Sequence, residues 1–233
     1  MMAGQLATLV AHDARLQKRY GIYYAYGLVL VFYLAILIWA GPWLPEWAVA
    51  VVIFTDPSAL GFFFLGALMM LERGEGTRLA LAVTPVSAGG YLFAKTATLT
   101  LLAMAAVTIL WLFLHRQANW PLLMLAVALT SVQYVGIGVP IALRFRTVTG
   151  YLIGSAGFLT PVIAPGFVAL IDPTPWWLLA IPAASQLKLL LVAVGSAEAS
   201  AAAIAGMLAV CLAAAIGSVA LALAALRQEL GAK

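Results

Sequence analysis

Charged side chains are scarce in this sequence. Asp, Glu, Lys and Arg make up 9% of its 233 residues, whereas hydrophobic residues make up 65%. A soluble domain carries about a quarter charged residues and is about half apolar. The shortage of charge therefore excludes an ordinary soluble domain and predicts an integral membrane protein. The net charge of +4 is too small to indicate a nucleic acid as a partner.

Residues that carry catalysis or bind metals are also rare, since the chain has one cysteine and two histidines. We therefore expect no disulfide framework, no metal site and no catalytic residue. The segment 154–157, Gly-Ser-Ala-Gly, is similar to the serine turn of intramembrane proteases. That serine would need a base within hydrogen-bond reach, and neither His12 nor His115 falls near it. We interpret these small residues as a surface for close helix packing.

Six long apolar segments predict six membrane-spanning helices, because about 20 apolar residues cross a bilayer. The segments lack the period of two of a membrane barrel, so the predicted fold is an all-α integral membrane protein with one transmembrane domain, residues 1–233. In the second segment we interpret Asp56 as the helix cap and Pro57 as the first helical residue; a carboxylate in a transport path is the alternative. The predicted spans are 22–40, 57–71, 92–114, 122–143, 150–171 and 199–226. Pro161 and Pro165 should kink or end the fifth helix.

Residues 3–20 predict an amphipathic helix before the first span. Apolar residues recur on one face from Leu6 to Leu16, while Arg15 and Arg19 lie on the opposite face. A helix of this kind lies at the membrane surface with its basic side towards water or lipid headgroups. We expect it on the inner side.

Residues 176–194 are compatible with a seventh span or with an outer re-entrant helical hairpin that is broken at Pro182. The distribution of Lys and Arg favours the hairpin, because basic residues accumulate on the inner side of membrane proteins. With six spans and both termini inside, every Lys and Arg except Arg116 and Lys188 lies on the inner side.

The densest group of charges lies in residues 72–95, between the second and third predicted spans. Two short helical patterns follow the first charges, one from Thr77 and one from Thr84-Pro85, where a hydroxyl cap precedes a proline. We interpret this loop as a docking surface for a partner outside the membrane; a solvated connector is the alternative. Its charged residues are Glu72, Arg73, Glu75, Arg78 and Lys95.

The same loop carries a resemblance to a known family. Its pattern Glu72…Gly76-Thr77…Thr84-Pro85-Val86-Ser87…Tyr91-Leu92…Lys95 resembles the loop after the second span of ABC-2 type transporter permeases. It looks closest to the small six-span permeases of bacterial drug and antibiotic exporters, and the order of elements along the chain is similar as well. The sequence departs from the family at Gly89-Gly90, where an acidic residue often precedes the tyrosine.

The resemblance implies a subunit of an ATP-driven exporter in the bacterial inner membrane, with both termini cytoplasmic. The chain lacks a GxxxxGK[ST] phosphate loop, so it needs no cofactor of its own, and a separate P-loop ATPase would bind ATP and Mg²⁺. Two such ATPases would work with two permeases, which we expect to form a homodimer in the lipid bilayer. The ATPase-coupling residues implied by the resemblance are Arg15, Arg19, Glu72, Arg73, Glu75, Gly76, Thr77, Thr84, Pro85, Tyr91, Lys95, Arg144 and Arg146.

The cargo is less well defined by the sequence. No charged cluster marks an ionic substrate, so we expect a hydrophobic or amphipathic molecule, such as a drug, an antibiotic or a lipid. Phe62, Phe63, Tyr134 and Phe158 could line its path, with lipid contact or helix packing as the alternative. Two other functions stay open: a membrane scaffold that recruits a cytosolic partner without transport, and a small secondary carrier.

Overall fold

The computed structural model describes residues 2–41, 43–76, 86–114, 117–171 and 174–229. In these ranges the regular elements are helices, without strands. The α-helices are α1 Met2–Arg19, α2 Ile22–Ala40, α3 Glu46–Gly74, α4 Ala88–Leu114, α5 Trp120–Ala142, α6 Val148–Ile163, α7 Pro182–Ala193 and α8 Ala201–Glu229. Two 3₁₀ segments, Ala164–Leu170 and Trp176–Ala180, lie between α6 and α7.

Six of these helices are long and apolar enough to cross a membrane: α2, α3, α4, α5, α6 with its 3₁₀ extension, and α8. The prediction of an all-α protein with six such helices is confirmed, and the pattern is that of a multi-pass membrane protein. The first span has the predicted bounds, and α5 and α8 lie within a few residues of theirs.

Helix α5 lies at the centre of the bundle. It is the most buried of the six long helices, whereas α2 and α6 leave most of their surface exposed. Its closest neighbour is α8, where Gly136 permits direct backbone approach. A Cβ atom at Gly136 would lie 2.5 Å from Ser218 Oγ, so a larger residue would separate the two helices.

Helix α3 is continuous through Asp56-Pro57 and begins at Glu46. The prediction that the membrane helix starts at Asp56 is therefore wrong. Proline removes one backbone donor from a helix, and neighbouring groups and local π or 3₁₀ adjustments absorb that loss in membrane helices. A single π-turn, Leu60–Phe64, follows shortly after the proline.

Part of the predicted loop 72–95 belongs to the helices α3 and α4. Glu72 and Arg73 lie in the last turn of α3, and Tyr91 and Lys95 lie on α4, which begins at Ala88 rather than at the predicted residue 92. The backbone N–H of Gly90 donates to Ser87 Oγ at 3.1 Å, so a serine caps this helix. The predicted helix starts at Thr77 and at Thr84-Pro85 fall outside the described residues.

Helix α1 confirms the predicted N-terminal helix, and it packs mainly against α4. It is separated from α2 by Gly21, whose backbone is left-handed with φ of 73°. Because this conformation strains residues that have a side chain, glycine permits the sharp change of direction between α1 and α2.

The predicted interruptions of the later helices are also present. Helix α6 ends at Ile163, between Pro161 and Pro165, and continues as a 3₁₀ segment. The chain breaks again at Ile181, immediately before Pro182 begins α7. With 12 residues, α7 is too short to cross a bilayer as a helix.

Candidate functional site

Three charged side chains from three helices meet inside the bundle, and we call them the ionic cluster: Asp13 of α1, Glu72 of α3 and Lys95 of α4. Lys95 Nζ donates to Asp13 Oδ1 at 2.8 Å and to Glu72 Oε1 at 2.5 Å. The exposed fractions of these side chains are 1% for Lys95, 6% for Asp13 and 2% for Glu72. A fully formed ion network thus ties the N-terminal helix to two long helices.

The remaining carboxylate oxygens of the cluster also have donors. The Tyr91 hydroxyl donates to Glu72 Oε2 at 2.6 Å. Gln17 Nε2 and Thr98 Oγ1 approach Asp13 Oδ2 at 2.9 Å and 2.6 Å. Burial of charge is tolerated only when the groups are paired and hydrogen-bonded, and this arrangement meets that condition.

Helical spacing explains how these side chains come together. Tyr91, Lys95 and Thr98 follow one another at steps of one helical turn on α4, so they share a face. Asp13 and Gln17 are likewise one turn apart on α1. The face of α4 that packs against α1 therefore carries a lysine where α1 presents a carboxylate.

Sequence reasoning missed Asp13, Gln17 and Thr98, although the sequence contains a signal for two of them. Asp13 and Gln17 fall on the same side of α1 as its apolar residues Leu6 and Leu9, not on the side of Arg15. A carboxylate on the apolar face of a helix indicates a buried cation elsewhere in the chain. Lys95, with apolar residues before and after it, is that cation.

A second, exposed ion pair joins the ends of α1 and α3. Arg19 donates to Glu75 Oε1 at 3.1 Å, and the Tyr20 hydroxyl donates to Glu75 Oε2 at 2.8 Å. Burial and the hydrogen bond to Glu75 raise the pKa of Tyr20 to about 12, so this hydroxyl stays protonated and remains a donor at neutral pH. The Arg19 side chain is 68% exposed, and such pairs contribute little to stability.

The coupling residues expected from the sequence differ in how exposed they are. Glu72, Tyr91 and Lys95 are buried or partly buried in the ionic cluster, so they link helices inside the protein and leave little surface for a partner. Gly76 forms a turn with positive φ just after α3, and Thr77, Thr84 and Pro85 lie outside the described residues. The exposed members are Arg15, Arg19, Arg73, Glu75, Arg144 and Arg146.

The four aromatic residues expected along a cargo path do not share one environment. Phe62 and Tyr134 are fully buried in the packing of the bundle, and Phe158 is 42% exposed with its ring beneath the Arg144 guanidinium. Phe63 lines a cleft of about 280 Å³ between α3 and α6, together with apolar side chains and the threonines Thr55 and Thr160.

Within the described part of the chain, no group of three or more His, Cys, Asp or Glu residues is placed to hold a metal ion. The chain matches no protein-family model, and no curated protein matches it significantly. The resemblance of residues 72–95 to ABC-2 permeases is therefore not accompanied by a family match.

Proposed function

We propose that this chain is the membrane-spanning permease subunit of an ATP-driven exporter of the ABC-2 type. It moves a hydrophobic or amphipathic molecule across the bacterial inner membrane, and a separate P-loop ATPase binds and hydrolyses the ATP. The observation that carries this proposal is the ionic cluster, which fixes the N-terminal helix α1 to the ends of α3 and α4.

The ionic cluster suits the transmission of movement. Helix α1 is not one of the six long apolar helices, yet it contributes Asp13 to a buried network with Lys95 and Glu72. Each carboxylate oxygen of Asp13 and Glu72 has a protein donor, and a buried hydrogen-bonded network of this kind holds a defined geometry, so displacement of α1 by a partner moves α3 and α4 with it. An interfacial helix without this connection would slide over the bundle.

The exposed residues at the same end of the bundle suit a protein partner. Arg73 follows the cluster on α3, and Arg144 and Arg146 follow α5. Consecutive long helices alternate in direction, so the ends of α3 and α5 share one side of the bundle. A group of exposed arginines attracts an acidic surface and orients it. We place the ATPase there, on the cytoplasmic side together with both termini.

The segment before α8 suits a re-entrant hairpin at the outer side. The start of α7 packs near α3 and the 3₁₀ extension of α6, since a Cβ atom at Gly166 would lie 2.7 Å from the Phe54 ring and 3.1 Å from the Ala183 carbonyl. The end of α7 lies at the level where α5 begins, because the Asn119 N–H donates to the Ala193 carbonyl at 2.8 Å. A helix placed in this way closes the outer end of the bundle without crossing the membrane.

Two apolar surfaces support the proposed cargo and assembly. The cleft beside Phe63 has no charged residue among those that line it, which favours an uncharged or amphipathic molecule. The exposed surfaces of α2 and α6 offer space for a second permease, and a homodimer with two ATPases completes the proposed exporter.

Copurification tests the proposed assembly directly. The chain is expressed with its neighbouring genes, extracted in mild detergent and weighed by native mass spectrometry. We expect two permeases with two P-loop ATPases. A monodisperse particle without an ATPase in several detergents would contradict the proposal.

Transport measurements test the role of the ionic cluster. The variant Asp13→Asn keeps the size of the side chain and removes its charge, so we expect ATP hydrolysis to continue while transport per ATP falls several-fold. His12→Asn, at the exposed neighbouring position, is the matched control and should leave the ratio unchanged. An unchanged ratio in Asp13→Asn would remove the cluster from the coupling mechanism.

The buried carboxylates of Asp13 and Glu72 favour a second candidate, an ion-coupled secondary carrier, since intramembrane acids often mark ion pathways. Their oxygens are all engaged by protein donors, which suits a structural role better. Transport that persists without ATP and stops when the ion gradient is dissipated would establish the carrier. Partner binding without transport would instead establish the scaffold.

A further inference from the structure

We infer that Phe145 and Tyr151 form a mechanical connection from the loop between α5 and α6, residues 143–147, to the π-turn of α3. Through this connection the loop sets the position of Phe63 in the cleft between α3 and α6. The inference rests on the proposed function only for the source of the movement, which is the ATPase that contacts the loop.

The first contact is a hydrogen bond into the π-turn. The hydroxyl of Tyr151, on α6, donates to the backbone carbonyl of Phe62, and both residues are fully buried. Phe62 lies in the middle of the π-turn Leu60–Phe64. A π-turn departs from the regular helical ladder, and a buried carbonyl requires a donor. Tyr151 supplies that donor from another helix.

Close packing holds the Tyr151 ring in place. Its ring stacks on Phe62 with a centroid distance of 6.0 Å. On the next turn of α3, a Cβ atom at Gly66 would lie 2.0 Å from the Tyr151 ring. Glycine at position 66 therefore creates the space that the tyrosine occupies, and the tyrosine cannot move without the π-turn.

The second contact joins Tyr151 to the loop. The Phe145 ring meets the Tyr151 ring edge to face at 5.7 Å. It also covers Gly154, where a Cβ atom would lie 2.4 Å from the Phe145 ring. The chain neighbours of Phe145 are the exposed Arg144 and Arg146, so one aromatic side chain extends from a solvent-facing loop to a buried residue.

Together these contacts form a continuous series from the loop to the cleft. Phe145 touches Tyr151, Tyr151 holds the carbonyl of Phe62, and Phe63 is the next residue of the π-turn. Tightly packed cores transmit displacement because they have few voids. The ionic cluster contacts α3 only near its end, at Glu72. The contacts from Phe145 to Phe62 therefore give the partner a second connection to α3, further from the end of that helix.

Hydrogen exchange on the purified chain, without any ATPase, tests the connection. We expect Phe145→Ala and Tyr151→Phe each to raise the exchange rates of amides 60–66 by about fivefold or more, as local opening becomes easier. Ile153→Ala, at a position that is 75% exposed on the same helix as Tyr151, is the matched control and should leave those rates unchanged. Tyr151→Phe removes one oxygen and keeps the ring, so it tests the hydrogen bond without a large change in packing.

The double variant tests whether the two residues act in series. If they do, Phe145→Ala adds little to the exchange of amides 60–66 in the Tyr151→Phe background. Unchanged exchange in Phe145→Ala, or in Phe145→Leu should the alanine variant fail to fold, would overturn the connection. Because no ATPase is present, this failure is distinct from a failed copurification, which would overturn the proposed function and leave the connection standing.

Discussion

Two of the buried polar contacts between the described helices differ in charge. The ionic cluster joins α1, α3 and α4 near the ends of α3 and α4. The second contact is neutral: Gln186 Nε2 of α7 donates to Gln133 Oε1 of α5 at 2.6 Å. Gln133 lies near the middle of α5, where a charged group would cost about 2.5–3.5 kcal/mol on insertion scales.

The comparison indicates where this fold uses charge. The ionic cluster lies where the N-terminal helix meets the ends of α3 and α4, whereas the amide pair joins α5 and α7. The two contacts should therefore respond differently to removal of one partner, because an unpaired buried charge is far more costly than an unpaired amide.

The largest effect is expected for Lys95→Met. The variant leaves the carboxylates of Asp13 and Glu72 buried without their cation, which should lower the free energy of unfolding by about 3–5 kcal/mol. Unfolding by SDS in mixed micelles measures the change. Lys18→Met, at an exposed position on α1, is the control. A loss below about 1 kcal/mol would show that the cluster is not fully buried in the membrane protein.

A variant that neutralises the whole cluster sharpens this prediction. Combining Lys95→Met with Asp13→Asn and Glu72→Gln removes every charge, so much of the lost stability should return. A triple variant that is less stable than Lys95→Met would mean that the charges themselves, rather than their pairing, stabilise the helices.

A smaller effect is expected for Gln186→Leu. Gln133 keeps its burial and loses its donor, so we expect a loss of about 1–2 kcal/mol, and the double variant with Gln133→Leu should recover most of it. Gln228→Leu, at an exposed position of α8, is the control. A loss as large as that of Lys95→Met would show that the neutral contact and the ionic cluster contribute equally to the free energy of unfolding.

The exposed pair of Arg19 and Glu75 should be weaker still. We expect Glu75→Gln to change the free energy of unfolding by less than about 1 kcal/mol, with the difference disappearing in high salt. Parallel unfolding series at low and high ionic strength measure it. A difference that is independent of salt would place this pair with the buried cluster rather than at the surface.

The last prediction concerns Tyr20, whose effect is confined to high pH. Its pKa in the folded protein is about 12, against 10.0 for the free side chain. A group whose pKa is raised by folding stabilises the protein below its unfolded pKa and loses that contribution as pH rises through its folded pKa. Wild type should therefore lose stability relative to Tyr20→Phe between pH 10 and 12, and pH profiles that stay parallel would contradict the raised pKa of Tyr20.

The sequence predicts the long helices well, because continuous apolar runs with interfacial aromatics have few alternatives in a membrane. The bounds of α2 are the clearest case. The prediction failed at Asp56-Pro57, where the local signal for a helix start is strong. The helix continues through this position because tertiary packing around the π-turn outweighs that signal. Such packing cannot be read from the local sequence pattern.

The sequence does not predict the ionic cluster. It marks Glu72 and Lys95 only as charged residues of the loop 72–95, which we interpreted as a docking surface from its density of charges and its helix-start signals. Asp13 could have been identified from its helical face. The contact between Phe145 and Tyr151 could not, since it depends on how α6 packs against α3 and on the space left by Gly66 and Gly154.

The left-handed turn at Gly21 has a consequence for how the protein is assembled. It interrupts the helical backbone between α1 and α2, and α1 then packs with Asp13 against Lys95 of α4. Glycine reverses the chain cheaply, whereas a residue with a side chain would resist this backbone conformation by about 1 kcal/mol. A substitution at Gly21 would therefore act at a distance, because the backbone at this one residue sets how α1 presents Asp13 to Lys95.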